Sequence, residues 1–142
     1  MRSIALVALQ FALIAAVALP WNAPRWNVAA TVLVAAAISL GLWALSANRP
    51  GNFNIRPEPK PSGHLVTGGP YRFVRHPMYL AVLLFGAGCC VGYAAPWRWL
   101  VFVALGLVLH AKARIEEAAM PALHPDYNAY VQRTRRIVPF VW

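Results

Sequence analysis

A cluster of cationic, imidazole and phenol side chains stands where a polar loop meets an apolar segment. Residues 69–79 are Gly-Pro-Tyr-Arg-Phe-Val-Arg-His-Pro-Met-Tyr, and a long apolar run begins at Met78. Guanidinium and imidazole groups donate hydrogen bonds to carboxylates, and phenol rings offer an apolar face with a polar edge. A segment that only crossed lipid would need none of these groups. This arginine–histidine cluster therefore predicts a binding site for a charged small molecule at a membrane edge.

A second polar cluster, residues 114–117, follows one helical hairpin later. The chain has four acidic residues in all, and Glu116 and Glu117 are two of them, adjacent and surrounded by cations. On a helix, His110, Arg114 and Glu117 share one face, and ionisable groups at membrane depth usually face a cavity. Local ion pairs at a helix end would explain the two glutamates alone. The two clusters together favour a shared site.

Composition indicates an integral membrane protein with a single domain, residues 1–142. The chain is 60% hydrophobic and 12% charged, whereas a soluble domain carries about 25% charged residues. Its net charge is +9, but the cations stand at the ends of apolar segments, where anionic headgroups and topology explain them better than nucleic acid does. Cys89 and Cys90 are adjacent in an apolar run and lack the spacing of a disulfide framework or a metal site, so no metal is expected.

Four apolar segments predict four transmembrane helices over residues 4–19, 28–46, 78–95 and 99–117. The first is expected to be a retained span and not a cleaved signal, because three more segments follow it. Gly88 and Gly92, four residues apart, predict close packing of the third helix against a partner.

The C-terminal segment predicts a short amphipathic helix. Tyr127, Tyr130, Val131 and Thr134 share one face, and Pro125 suits a first helical turn. We expect this helix to lie in the membrane interface. The predicted fold is thus all-α and membrane-embedded, with four transmembrane helices and a C-terminal interfacial helix.

The cations also predict an orientation. With four spans and an internal N-terminus, eleven of the thirteen lysines and arginines lie on the inner side, and only Arg25 and Arg98 lie outside. The positive-inside rule then places both termini and the Pro- and Gly-rich loop, residues 47–77, in the cytosol, as in a bacterial plasma membrane. A helical hairpin would return Glu116 and Glu117 to the side of the arginine–histidine cluster, because neighbouring helices pack about 8–10 Å apart.

Three stretches resemble the signature of the isoprenylcysteine carboxyl methyltransferase and phospholipid methyltransferase superfamily. They are residues 64–79, which contain Arg-His-Pro-Met-Tyr, the Glu116-Glu117 pair, and Tyr-x-x-Tyr at 127–130. The resemblance covers approximately residues 60–140. It implies an integral membrane enzyme that uses S-adenosylmethionine and releases S-adenosylhomocysteine, with His76, Tyr79 and one glutamate at the cofactor. Ala81 stands where the family usually has glycine, and its methyl group is expected to narrow the cofactor cleft.

Chemical roles follow for the residues of both clusters. Arg75 or His76 would bind the cofactor carboxylate, one glutamate would bind its ammonium group or a substrate amine, and the tyrosines would line adenine or ribose. Arg114 would clamp a carboxylate acceptor. The predicted cofactor-binding residues are His64, Tyr71, Arg75, His76, Pro77, Tyr79 and Glu117. The predicted catalytic residues are Arg75, Arg114, Glu116 and Glu117.

The acceptor stays open between an isoprenylcysteine-type carboxylate and a lipid headgroup. A carboxylate needs only positioning, whereas an ammonium headgroup must first lose a proton, which suits a glutamate base. Two alternative functions are a membrane reductase that uses NADPH and a non-catalytic membrane scaffold. The first is disfavoured by the short chain with four predicted spans, and the second by the concentration of polar groups. The oligomeric state is also open.

Overall fold

Five α-helices make up the regular structure of the computed structural model, which describes residues 2–48, 52, 56 and 63–139. They are α1 (Arg2–Ala18), α2 (Val28–Ala47), α3 (Pro77–Tyr93), α4 (Pro96–Leu123) and α5 (Tyr127–Arg133). A 3₁₀ turn, Gly69–Arg72, precedes α3. Most of the predicted polar loop between α2 and this turn lies outside the described residues. The all-helical prediction is confirmed for the described part of the chain, where the one β-type pairing is an isolated bridge.

Local sequence explains where the helices begin. The side chain of Asn27 caps α2 by accepting a hydrogen bond from the backbone N–H of Ala30 at 3.0 Å. Pro77 and Pro96 open α3 and α4, a position that needs no backbone donor. The end predicted for the fourth helix, at residue 117, was wrong. The helix runs six residues further and includes Pro121 near its end, where the lost hydrogen bond disturbs little of the helix.

Helix α3 lies at the centre of the packing and contacts α1, α2 and α4. Its glycines allow the close approach that their spacing predicts. A methyl group at Gly88 would lie 2.7 Å from Cγ2 of Val34, and one at Gly92 would lie 3.0 Å from the ring of Trp26. The prediction of tight packing by these glycines is confirmed at Gly88, whose partner helix is α2.

Helix α2 is, among the described helices, the one that is both long and apolar enough to cross a bilayer by itself. The apolar helices α1 and α3 have 17 residues each, which span about 26 Å against a hydrocarbon core of about 30 Å. Four transmembrane helices therefore stay a prediction. Large apolar side chains on the outer faces of the helices, such as Leu42, Leu100 and Leu107, are exposed.

The C-terminal helix α5 packs inward. Tyr127, Tyr130 and Thr134, three of the four residues of its predicted stripe, are each only 4% exposed. The stripe is covered by protein, and Pro125 precedes the helix instead of opening it. A position of α5 in the membrane interface stays a prediction. The apolar pattern of α5 thus marks the face that is buried against the rest of the chain.

Candidate functional site

A short backbone pairing joins the arginine–histidine cluster to the C-terminal segment. The backbone N–H groups of Arg75 and His76 donate to the carbonyls of Arg135 and Arg136, at 2.8 and 3.0 Å, and Arg135 N–H donates back to Phe73 at 3.0 Å. Val74 and Arg135 form the parallel bridge at the centre of this pairing. The segment after α5 therefore lies alongside the chain that enters α3, and it fixes where Arg75 and His76 stand.

Gly69 lets the 3₁₀ turn that precedes α3 pack against α2. Its φ of +57° lies in the left-handed region that favours glycine. An added methyl group would stand 2.6 Å from Cβ of Ala47. The turn is also held from the other side, because the hydroxyl of Tyr130 donates to the backbone carbonyl of Tyr71 at 2.7 Å.

Glu117 is the hub of an ion-pair network. Its Oε1 accepts from Nε of Arg75 at 2.8 Å and lies 3.0 Å from Nε2 of His76, while its Oε2 accepts from Nε of Arg136 at 3.0 Å. Arg75 also donates through Nη1 to the backbone carbonyl of Thr134 at 2.8 Å. The network joins the start of α3, the last third of α4 and the C-terminal segment.

This network keeps the Glu117 carboxyl ionised. Burial alone would raise the pKa of Glu117, since its side chain is only 10% exposed. Hydrogen bonds from His76, Arg75 and Arg136 outweigh burial and lower the pKa to about 2. Glu117 is therefore a fixed negative charge, already satisfied by three partners.

Glu116, the next residue, has a different environment. Its Oε2 accepts from the hydroxyl of Tyr79 at 3.2 Å and lies 3.7 Å from Nδ1 of His76. Burial raises the pKa of the Glu116 carboxyl, opposed by the nearby His76, Tyr79 and Lys112. The exposed third of its side chain borders a cavity, so Glu116 is the carboxylate that a ligand can meet.

The cavity has a volume of about 380 Å³ and lies between the arginine–histidine cluster, α4 and α1. That volume falls in the range of about 300–1,000 Å³ typical of small-molecule sites. Among the described residues, its walls combine phenol rings, amides, cations and the carboxylate of Glu116. The lining residues with polar groups, tyrosines included, are Gln10, Asn48, Asn52, Arg56, His64, Tyr71, Arg75, His76, Tyr79, Lys112, Glu116, His124, Tyr127 and Tyr130.

The phenols of the cavity stay protonated. Burial raises the pKa of Tyr71, Tyr127 and Tyr130, and for all three the charge of a nearby glutamate raises it further. The ring of Tyr79 stacks on the imidazole of His76, with centroids 5.1 Å apart and planes 4° from parallel. The cavity therefore offers flat, neutral phenol rings to a ligand.

Most predicted site residues converge here. His64, Tyr71, Arg75, His76, Pro77, Tyr79 and Glu116 all border the cavity. Glu117 stands behind its wall, held in the ion-pair network, and Arg114 is exposed on α4 outside the lining.

Ala81 is buried away from the cavity, on the face of α3 that meets Gly41 of α2. The expectation that its methyl group narrows the cofactor cleft was therefore wrong.

Several lining residues were missed by the sequence analysis. The side chain of Asn52 binds the backbone of His64: it accepts from the His64 N–H at 2.8 Å and donates to the His64 carbonyl at 3.0 Å. Asn48 accepts from Asn52 at 2.8 Å. Gln10 and Lys112 carried a usable signal, because each interrupts a predicted transmembrane helix with a polar group, which in lipid marks a functional position.

The donor set fits an amino acid joined to a nucleoside. Glu116 can accept from an ammonium group, cations on the cavity wall can hold a carboxylate, and the amides and tyrosines can bind a sugar and a flat ring. No single one of these groups is diagnostic. Their convergence in one cavity is the property that a cofactor of this kind requires.

A comparison with protein-family models identifies the family of the chain. The model described as phospholipid methyltransferase matches residues 26–126, which is more than half of the chain and includes α2, α3, α4 and both glutamates. A search of curated proteins found no match. With a family model covering most of its length, the chain belongs to the phospholipid methyltransferase family.

Proposed function

We propose that this protein is an integral-membrane methyltransferase that uses S-adenosylmethionine and acts on a lipophilic acceptor. The acceptor is an isoprenylcysteine-type carboxylate or a lipid headgroup. The reaction takes place at the cytosolic face of a bacterial plasma membrane, with both termini in the cytosol. The observation that carries the proposal is the single cavity that joins Glu116, Tyr79 and His76, which come from the start of α3 and the last third of α4.

When bound, S-adenosylmethionine supplies the methyl group of a sulfonium: the acceptor forms a bond to the methyl carbon, and the electron pair of the broken C–S bond stays on sulfur. The protein has to hold the acceptor atom in line, about 3 Å from that carbon, and keep water away. Glu116 fits the cofactor ammonium, and Tyr71 and Tyr79 fit the ribose and adenine.

Glu117 acts in this scheme as a positioning residue. It neutralises Arg75 and orients the His76 ring, which stacks on Tyr79. The two glutamates thus have different roles: Glu116 binds the ligand, and Glu117 fixes the residues of the cavity wall. Arg114 is exposed outside the lining, so it does not clamp an acceptor in this cavity.

The apolar part of the lining supports a lipophilic acceptor. Phe11 and Ile14 of α1 and Met78 and Val82 of α3 line the cavity. Phe11 is also 52% exposed, so the apolar part of the lining is not closed off. An acyl or prenyl chain can therefore leave the cavity along apolar side chains, while the polar wall holds the reacting group.

The test uses the purified full-length chain in dodecyl maltoside. S-adenosylhomocysteine should raise the thermal midpoint, and labelled S-adenosylmethionine should transfer its methyl group to a bacterial lipid extract, giving products one methylene heavier by mass spectrometry. Glu116→Gln should weaken cofactor binding and reduce transfer, whereas Arg25→Gln, exposed between α1 and α2, should leave both unchanged. Stabilisation by NADPH in place of S-adenosylhomocysteine, or by neither, would reject the proposal.

A further inference from the structure

A second cavity, of about 240 Å³, is formed by the two chain segments that the short backbone pairing joins. One segment is the end of the 3₁₀ turn, and the other is the end of α5 with the residues that follow it. The described residues that line this cavity are Arg72, Phe73, Gln132, Arg133, Arg135 and Pro139. None of these six borders the cavity that contains Glu116. Because three of the six are arginines, we call this second cavity the arginine pocket.

The arginine pocket concentrates positive charge. Arg72, Arg133 and Arg135 are all exposed, and the ion pairs found among the described residues do not involve them. Cζ of Arg72 lies 4.5 Å from the centroid of the Phe73 ring, and Nε of Arg133 donates to the carbonyl of Ala129 at 3.3 Å. These contacts orient two guanidinium groups without neutralising them. Guanidinium groups bind phosphate oxygens through pairs of parallel hydrogen bonds, so the pocket suits a phosphate-bearing anion.

The aromatic wall of the pocket indicates its depth relative to a bilayer. The Phe73 ring packs on the ring of Trp43, with centroids 6.4 Å apart, and both side chains are 45% exposed. Trp43 stands four residues before the end of α2, the described helix that is long and apolar enough to cross a bilayer. Its neighbours Leu42 and Leu45 are exposed as well. Tryptophan near the end of a membrane helix marks the level of the lipid headgroups, which is therefore the level of the arginine pocket.

Exposed arginines at the inner end of a membrane helix are often only solvated charges. Two features set these three apart. Arg72 is far from Arg133 and Arg135 in the chain, yet all three line one concave pocket. The pocket also continues into an exposed aromatic pair on α2, so its charges stand beside an apolar surface. A polar headgroup joined to apolar chains has the same arrangement.

We propose that the arginine pocket binds the phosphate of an anionic phospholipid from the surrounding bilayer, whose chains lie along Phe73 and the outer face of α2. This inference rests on the membrane position of α2 in the proposed function, but the bound lipid is not the methyl acceptor. Arg135 N–H donates to the Phe73 carbonyl at 3.0 Å. A headgroup that bridges Arg72 and Arg135 therefore ties the C-terminal segment to the chain that enters α3.

The test measures binding of three phosphate compounds to the purified full-length chain in dodecyl maltoside by native mass spectrometry. They are phosphatidylglycerol, phosphatidylcholine with the same acyl chains, and glycerol 3-phosphate, which has no chains. The wild type should bind phosphatidylglycerol about tenfold more tightly than phosphatidylcholine, because the choline ammonium would stand among three cations. Glycerol 3-phosphate should bind more weakly than either lipid, because it lacks the apolar contact with Phe73 and α2.

Substitutions locate the bound lipid. Arg72→Gln and Arg135→Gln should each weaken phosphatidylglycerol binding by about fivefold, and the double variant should lose the preference over phosphatidylcholine. Arg135→Lys should recover only part of the affinity, because lysine keeps the charge but not the paired hydrogen bonds. Arg114→Gln is the matched control, since it removes one exposed cation at the same end of the bundle outside the pocket. It should bind both lipids as the wild type does.

The thermal midpoint without added lipid checks that each variant is folded, and either single variant alone carries the test. Equal binding of the two lipids by the wild type, or the same preference in the wild type and the double variant, would overturn the lipid site. An equal loss in Arg114→Gln would reduce it to general attraction between charges, and binding of glycerol 3-phosphate as tight as that of the lipids would assign the pocket to a free phosphate compound. Lipid binding is measured without cofactor, so a wild type that binds phosphatidylglycerol but not S-adenosylhomocysteine would overturn the methyltransferase proposal alone.

Discussion

Nε2 of His76 lies 3.0 Å from Oε1 of Glu117, although the two residues are 41 positions apart in the chain. His76 precedes α3 and Glu117 belongs to the last third of α4. Their polar contact therefore joins the two ends of the helical hairpin that α3 and α4 form. Arg75 and Arg136 bind the same carboxylate. The contact therefore links the geometry of the cavity wall to the charge of a single glutamate.

Acid should weaken the contact between His76 and Glu117, and the pKa of Glu117 predicts the pH range in which this happens. A carboxyl whose pKa falls from an ordinary value of 4.5 to about 2 on folding stabilises the folded state fully above pH 4.5. That stabilisation is lost as the pH falls towards 2, and its full size is about 3 kcal/mol. The thermal midpoint of the wild type, measured from pH 6 to about pH 2, should therefore decrease as the pH falls from 4.5 towards 2.

Glu117→Gln isolates this contribution, since glutamine keeps the shape but cannot ionise. We expect this variant to be less stable than the wild type at pH 6 and to approach it at pH 2. Glu116→Gln is the matched control. Because burial raises the pKa of Glu116, ionisation of Glu116 opposes folding, and the substitution should not lower the midpoint at pH 6. Parallel midpoint curves for wild type and Glu117→Gln would show that Glu117 is not the stabilising charge.

Removing one hydroxyl should test whether α5 shapes the cavity. Tyr130→Phe keeps the buried ring but deletes the hydrogen bond to the carbonyl of Tyr71, which anchors the 3₁₀ turn. The loss is about 1 kcal/mol, or about fivefold in affinity for S-adenosylhomocysteine if the turn holds the cofactor. Titration calorimetry measures it. Tyr93→Phe, at the opposite end of α3, should have no effect on affinity, and equal losses in both variants would argue against a role for α5.

The helices and the meeting of the two clusters could be predicted from the sequence. Long apolar runs and the prolines at 77 and 96 mark the helices, and a hairpin must return its ends to one side. Helix ends were less predictable, because Pro121 lies in the last turn of α4, where its missing donor costs little. The apolar stripe of α5 was identified, but a periodic pattern does not say whether lipid or protein covers it.

The different roles of Glu116 and Glu117 could not be predicted. Adjacent residues on a helix point about 100° apart, and only the position of the C-terminal segment decides which one meets Arg136 and which one borders the cavity. Gln10 was likewise missed as a partner of Lys112, since their contact joins residues 102 positions apart. Such contacts depend on how the helices pack, which local sequence does not specify.

Glycine at position 88 should be required for the contact between α2 and α3. In Gly88→Ala the new methyl group would stand 2.7 Å from Cγ2 of Val34 and 3.2 Å from the carbonyl oxygen of Ala30. Relieving this overlap should cost about 1–3 kcal/mol and lower the thermal midpoint. Gly106→Ala is the control within a helix, because its methyl group would meet nothing closer than 3.9 Å and alanine favours helix formation. A Gly88→Ala protein as stable as Gly106→Ala would contradict the tight packing.

Arg98 should be the most important single cation for stability at the other end of the bundle. It is fully buried in the first turn of α4, where a helix dipole disfavours a positive charge. Its guanidinium donates to the backbone carbonyls of Val17, in the last turn of α1, and of Leu19, just after α1, and to Oδ1 of Asn22 at 3.0 Å. Its Cζ lies 4.0 Å from the centroid of the Tyr93 ring. Arg98→Met would leave these acceptors unpaired, at about 1–3 kcal/mol each, so the thermal midpoint should fall by more than in Gly88→Ala. Arg98→Lys should recover only part of the loss, because a compact ammonium group cannot reach all three acceptors. Arg25→Met removes an exposed cation and should leave the thermal midpoint unchanged. A similar fall of the midpoint in both methionine variants would show that net charge, and not the hydrogen bonds of Arg98 at the end of α1, sets the stability.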